Sequence, residues 1–143
     1  MMTIEILKEN DIEMSLQEEI VELYNQLNST IEQLSISKVL ENNPNIVVVL
    51  CREEKTVMGI AMMAMYKVIS GHKGMVEDVV VHSDHRGKGI GRKLIEKLLE
   101  EAQNRKLSEV LLFSGHHRKP AINLYKSLGF QLKDSGLYRL ILD

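Results

Sequence analysis

His82-Ser83-Asp84-His85-Arg86-Gly87-Lys88-Gly89-Ile90-Gly91-Arg92-Lys93 is the stretch on which the reading of this chain turns. Before it lies a dense β-branched run, Met75 to His82 (MVEDVVVH), which predicts a strand. After it, Ile90, Leu94, Ile95, Leu98, Leu99 and Ala102 recur on one stripe, which predicts a helix over Gly89 to Arg105. The junction breaks local rules twice. Each glycine costs about 1 kcal/mol against alanine in a helix, and Arg92 and Lys93 bring cations to the helix end whose dipole favours anions. Local conflicts of this kind concentrate at functional sites. A bound anion resolves both, because free N–H groups at a helix start bind phosphate, glycine permits close approach, and Arg86, Lys88, Arg92 and Lys93 supply the charge. The bland alternative is a glycine-rich loop with a solvated basic rim. The coincidence of glycines, cations and a strand-to-helix junction favours a diphosphate site. Nucleotide loops fit poorly. Gly87-Lys88 is followed by Gly89 where a P-loop needs a hydroxyl. The dinucleotide fingerprint wants its third glycine one residue later and an acid after the next strand, where Phe113-Ser114 stand.

Outward from this junction the rest of the chain falls into short elements. Thr3 to Leu7 alternates weakly, as a first strand. Leu16, Ile20, Leu23, Tyr24 and Leu27 share one face, predicting a helix from about Asp11 to Leu27. Ser29 or Thr30 can cap a second helix running to about Leu40, with Ile31, Leu34 and Val39 inward. Ile46 to Cys51 (IVVVLC) and Thr56 to Ile69 read as an antiparallel hairpin. Downstream, Ser108 to Phe113 is a strand and Pro120 to Leu128 a short helix closed by Gly129. Phe130 to Leu132 and Leu137 to Leu142 read as a last hairpin turning at Asp134-Ser135-Gly136. The order is β-α-α-β-β-β-α-β-α-β-β. Antiparallel strands precede a single β-α-β unit, so the class is a mixed α/β (α+β) sheet rather than a doubly wound parallel one.

Composition bounds the function. The chain has 143 residues, 44% apolar and 27% charged, with a net charge of −2. That size predicts one domain over residues 1–143. The near-neutral balance argues against a nucleic-acid partner. No apolar stretch reaches membrane-spanning length, and the charged N-terminus does not resemble a secretion signal. The single cysteine, Cys51, excludes an internal disulfide framework and suits a reducing compartment, so a cytoplasmic location is expected. It reads as a buried, inert thiol. The five histidines show no metal-ligand spacing, so no metal is expected.

Arg86-Gly87-Lys88-Gly89-Ile90-Gly91 resembles the [Q/R]-x-x-G-x-[G/A] signature of the GNAT superfamily of acetyl-CoA-dependent N-acetyltransferases. Pro120-Ala121-Ile122-Asn123-Leu124-Tyr125-Lys126-Ser127-Leu128-Gly129-Phe130 resembles that family's A-x-x-L-Y-x-x-x-G-F segment, at the usual distance downstream. The element order is similar to the GNAT acyltransferase fold. Gly74 to Val81 followed by Arg86-Gly87-Lys88-Gly89 resembles the glucosamine-6-phosphate N-acetyltransferase branch. Ser114 to Arg118 is closer to small bacterial members, including aminoalkylphosphonate N-acetyltransferases, so the acceptor stays open. Many members carry Asn where this chain has Arg118.

The resemblance implies acetyl-CoA as co-substrate, a primary amine of a small molecule as acceptor, and direct attack without a covalent enzyme intermediate. It implies cofactor contacts from the backbone of Val79, Val80 and Val81, from Arg86 to Arg92 (Arg86, Gly87, Lys88, Gly89, Ile90, Gly91, Arg92), and from Asn123 and Tyr125. Tyr125 is implied as the acid that protonates the departing thiolate. Its bland alternative is a core aromatic beside Leu124 and Leu128. Glu77 and Asp78 are the candidate carboxylates. As strand neighbours they are expected on opposite faces, with Glu77 sharing parity with Val79 and Val81. Glu77 is the candidate base and Asp78 a candidate acceptor contact, against the alternative of ordinary ion pairs. His116, His117 and Arg118 form a small cationic group that either meets an acidic acceptor or is a solvated loop. Two other functions remain open, a non-catalytic CoA-binding module and a protein lysine or N-terminal acetyltransferase. The resemblance, with the sheet edge that the C-terminal strands would present, implies a homodimer.

Overall fold

The computed structural model describes residues 1–142. The chain forms two compact units, Met1–Phe113 and Ser114–Asp143. The first contains β1 (Met2–Ile6), α1 (Met14–Asn25), α2 (Ile36–Leu40), β2 (Ile46–Glu53), β3 (Thr56–Val68), β4 (Gly71–Val81), α3 (Ile90–Asn104) and β5 (Glu109–Leu111). The sheet order is β1-β2-β3-β4-β5. The first three pairings are antiparallel and β4–β5 is parallel. This is the mixed α/β class that the strand and helix pattern predicts.

Both faces of the sheet are covered, which is why β2 reads as an unbroken apolar run. On one face, Leu16, Ile20 and Leu23 of α1 and Ile36 and Leu40 of α2 pack with Val48, Leu50 and Ile60. On the other, α3 buries Ile90, Leu94, Ile95 and Leu98 almost completely. Gly59 sets how close α3 comes. A Cβ there would lie 3.0 Å from Ile90 Cγ2 and 3.1 Å from Leu94 Cδ1.

Three expectations change. The second helix is only Ile36–Leu40, capped by Ser35, whose hydroxyl accepts from the Lys38 N–H. Residues before it form a loop, because Asn28 Oδ1 accepts from both the N–H and the hydroxyl of Thr30 and turns the chain locally. β4 begins at Gly71 rather than Met75, so the β3–β4 hairpin is longer than the glycines suggested. In the second unit α4 spans Lys119–Ser127. The last hairpin is absent among the described residues: neither Phe130 to Leu132 nor Leu137 to Leu142 is a strand. Alternation predicts which residues could face a core, but a strand also needs a ladder partner, and an isolated short hairpin is marginal in water. Among the described residues no helix is long and apolar enough to cross a membrane.

Candidate active site

The second half of β4 carries one residue too many. Met62 pairs with Glu77 and Ile60 with Val80, so Ala61 alone stands opposite both Asp78 and Val79. This is a β-bulge, a feature common beside active sites. Asp78 occupies it with φ 52°, the left-handed region that Asp enters more readily than most residues. The bulge resets which side chains share a face. Val81 pairs with Gly59, which faces α3. Glu77 pairs with Met62, which faces α1 and α2. Asp78 lines a cavity on that same α1/α2 face with Ile60 and Met62. The expectation that Glu77 and Asp78 point to opposite sides, with Glu77 in step with Val81, is therefore corrected. Strict alternation fails at the inserted residue, and both carboxylates reach one region.

A third group joins them. The Tyr24 side chain, from the last turns of α1, lines the same cavity as Asp78, and its hydroxyl interacts with the Asp78 carboxylate. Burial raises the Asp78 pKa, and the Tyr24 hydrogen bond pulls it back in part. Glu77 keeps much of its surface exposed, yet the protein around its carboxyl raises its pKa and the Asp78 charge adds to the effect. Burial, then the Asp78 and Glu77 charges, push the Tyr24 phenol up. The charge on each carboxylate thus bears on the ionisation of its neighbours. Tyr24 reads in the sequence only as an apolar-face residue.

The cavity has a volume of about 240 Å³. Ile20, Ile60 and Met62 form its floor, and Ile31, Leu34 and Val39 its walls. Glu32, Gln33, Tyr24 and Asp78 are its polar lining. Ile31 and Leu34 are expected inward from helical spacing. Instead they are 49% and 72% exposed and border the cavity from the loop. Gln33 fastens that loop to α1, its Nε2 donating to Val21 O and Asn25 Oδ1, each at 3.1 Å.

Beyond Met75, β4 has no partner on the β5 side, since that pairing covers only Lys73–Met75. Among the described residues, the edge that carries Val79, Val80 and Val81 thus has no strand neighbour there. The His82 N–H still donates to Met58 O at 2.8 Å, which anchors the strand end to β3. The loop then turns through Ser83–His85, where Ser83 N–H donates to Gln26 Oε1 at 2.9 Å. Gly87 and Gly89 have φ 80° and 76°, and no atom lies within 4 Å of where their Cβ would be. Here glycine answers a backbone requirement and leaves open space in front of the helix. α3 begins with no side-chain cap and no acid in its first turn. Helix geometry leaves the first N–H groups, those of Ile90 and Gly91, without intrahelical acceptors. Ile90 is buried and fixes their direction. Lys88 Nζ lies 3.2 Å from His85 Nδ1, and Arg92 pairs with Glu96 at 3.7 Å. The arrangement fits a bound pyrophosphate: donors, cations and room coincide.

In the second unit, α4 ends in a hydrogen-bonded stop that explains its sequence. Gly129 (φ 97°) donates to Lys126 O at 3.0 Å and Phe130 to Tyr125 O at 3.1 Å. This is the paired closure that a left-handed glycine permits. Phe130 then packs edge-on against Tyr125, with ring centroids 6.0 Å apart. Burial raises the Tyr125 phenol and the Arg118 charge opposes it, so Arg118 acts on Tyr125 from the start of α4. His116 lies in the turn before α4, and Asn123 is exposed on it. In the first unit, Cys51 is fully buried and burial raises its thiol pKa, as expected of an inert cysteine. Among the described residues no three or more of His, Cys, Asp and Glu form a metal-holding group.

A family model described as the acetyltransferase (GNAT) family matches residues 7–130. The chain belongs to this family. It is 40% identical over 67 residues to the thialysine N-ε-acetyltransferase of Mus musculus, covering 47% of this chain and 39% of that one. It is 33% identical over 84 residues to the L-amino acid N-acyltransferase MnaT of Escherichia coli, covering 58% and 49%. The chain thus spans about half the length of the curated relatives it matches. Its fold is that of the glucosamine-6-phosphate N-acetyltransferase from Arabidopsis thaliana, with a TM-score of 0.78 at 22% identity over 98% of each chain.

Proposed function

We propose that this chain transfers the acetyl group of acetyl-CoA to a primary amine by direct attack. The observation that carries the reading is the bulge at Asp78. It gathers Glu77, Asp78 and Tyr24 beside a largely apolar, solvent-open cavity, on a strand whose β5-side edge has no strand partner past Met75 among the described residues. Acetyl-CoA brings an activated thioester, and the residues of this chain supply the rest. The N–H groups from Gly87 to Arg92, with Arg86 and Lys88, hold the pyrophosphate. The unpaired β4 edge at Val79, Val80 and Val81 offers N–H donors to the pantetheine chain and to the acyl oxygen as charge develops on it. Such donors contribute roughly 3 kcal/mol each to a transition state.

The acceptor amine enters the cavity and meets Asp78. It attacks only when neutral, so a proton must leave it. Glu77 takes that proton, its raised pKa bringing it closer to the working pH than an ordinary carboxylate. Tyr125, oriented by Phe130, gives a proton to the departing thiolate, and Asn123 adds a cofactor contact from the same helix. His116 and Arg118, in the second unit, are acceptor contacts on the strength of the family resemblance.

The test is thiol release from acetyl-CoA across a panel of primary amines. At least one amine should give turnover, and Tyr125→Phe and Glu77→Gln should each lower kcat with folding intact. Acetyl-CoA binding without turnover on any amine would leave a CoA-binding module. No binding of acetyl-CoA would overturn the reading altogether.

A further inference from the structure

The cavity beside Asp78 has a one-sided hydrogen-bond inventory. Only two of its lining side chains carry N–H or O–H donors, Tyr24 and Gln33. Tyr24 and Asp78 line the cavity together, and the Tyr24 hydroxyl has the Asp78 carboxylate as its interaction partner there. Gln33 has two amide hydrogens, and its Nε2 donates to Val21 O and to Asn25 Oδ1. No Lys, Arg or His lines the space. What remains available from side chains is acceptor capacity, on the carboxylates of Asp78 and Glu32, between apolar walls.

An acceptor that carries a phosphate or carboxylate would place its anion among these carboxylates with no side-chain donor to meet it. A polyol would set hydroxyls against the buried Ile20 and Ile60, where they lose water and meet no side-chain donor. Size points the same way. At about 240 Å³ the space lies below the ~300–1,000 Å³ typical of drug-sized ligands.

We infer that the acceptor is a cationic amine on a compact hydrocarbon body with no anionic group, seated with its ammonium at Asp78 and its body between Leu34, Ile60 and Met62. This rests on the acetyl-transfer reading and narrows its substrate class. It sets aside sugar phosphates, aminoalkylphosphonates and α-amino acids, although similar proteins include a glucosamine-6-phosphate N-acetyltransferase and an L-amino acid N-acyltransferase.

The experiment compares matched pairs on the full chain: phenethylamine against phenylalanine, and isoamylamine against leucine, with 2-aminoethylphosphonate and glucosamine 6-phosphate alongside. Two readouts are taken, the ligand-induced shift in Tm and thiol release from acetyl-CoA. The hydrocarbon amines should raise Tm and exceed their carboxylated partners in kcat/KM by at least about tenfold. Equal or better binding of the carboxylated member, or no binding of either amine, overturns the inference. Hydrocarbon amines that raise Tm selectively without releasing thiol would uphold the class of ligand and break the acetyl-transfer reading instead. Leu34→Arg supplies a donor at an exposed wall where folding is not at risk. It should narrow the gap within each pair, and an unchanged ratio would count against the cavity as the seat of selection.

Discussion

The cavity at Asp78 and the start of α3 serve opposite charges from neighbouring parts of the same chain. The cavity is walled by apolar groups, offers carboxylate oxygens, and has its side-chain donors already engaged. The helix start is open, offers N–H groups and cations, and has no acid in its first turn. A net charge of −2 conceals this separation. They also differ in how they are assembled. The helix start is contiguous, so its fitness for an anion is written in adjacent residues. The cavity joins Tyr24, a loop at residues 31–34, and a strand residue at 78 that reaches its place only because the strand holds one extra residue. A contiguous site survives changes elsewhere in the sheet. An assembled one depends on register.

The carboxylate substitutions give the largest expected effect and the sharpest contrast. Asp78→Asn keeps an acceptor for the Tyr24 hydroxyl and a side chain that tolerates φ 52°. Turnover should fall by about 10²-fold or more, the usual scale for losing an acid–base or ammonium-binding group. At neutral pH the Tm should rise. A carboxyl with a raised folded pKa contributes stability below its unfolded pKa, and that contribution is lost as pH rises through the folded value. Replacing it removes the cost of the ionised form. Glu77→Gln should act in the same two directions. Unchanged turnover in both variants would separate the carboxylates from the chemistry. A fall in Tm would show that the carboxylate is not held against burial.

The same shifts make activity and stability respond to pH with opposite signs. kcat/KM should fall on acidification through an apparent pKa above the ordinary carboxylate range, because burial raises both Asp78 and Glu77. Over that window the native state should gain stability as the carboxyls protonate. A pH–rate profile beside a Tm-against-pH curve reads both. An acid limb at ordinary carboxylate pKa would mean that solvent reaches the pair freely.

How much of this was readable from residues follows the same division. The glycine junction, the α3 stripe and the Tyr125-to-Phe130 segment are local, and the structure puts each where spacing predicts. Gly89 caps α3 in the left-handed region, and Gly129 closes α4 through Lys126 and Tyr125. Glu77 and Asp78 were identifiable as costly carboxylates on a strand, but not the face they share. Alternation assumes a regular ladder, and nothing in MVEDVVVH marks Asp78 as the inserted residue. Tyr24, Ile31 and Leu34 have helical spacing, so periodicity assigned them to the core. Tyr24 does pack against the core as its spacing predicts, while the role of Ile31 and Leu34 appears only when Asn28 and Ser35 break the second helix. The last hairpin shows the reverse failure, since alternating apolar residues were present and a pairing partner was not.

At the helix start, Gly89→Ala should test the other side of the comparison. The added Cβ meets no atom, so the cost is conformational, roughly 1–2 kcal/mol for an L-residue held in the left-handed region. The KM for acetyl-CoA should rise as the first-turn N–H groups lose their direction. The Tm shift produced by a hydrocarbon amine should persist, because the cavity owes nothing to this turn. Loss of both responses together would show that the two regions act as one.

Tyr24→Phe should give the smallest effect, and its direction is the informative part. The ring keeps its place on the α1 face and only the hydroxyl is lost. That hydroxyl now lowers the Asp78 pKa by donating to its ionised form, so its removal leaves burial unopposed and moves the acid limb of the pH–rate profile upward. Well above the limb the variant should work at a rate within a few-fold of the parent. Near the limb it should be clearly slower, because more of its Asp78 is protonated. A uniform loss at every pH would make Tyr24 a wall of the cavity rather than a positioning residue. A limb that does not move would mean that Asp78 is not the group whose ionisation the rate reports, and would leave Glu77 to carry it.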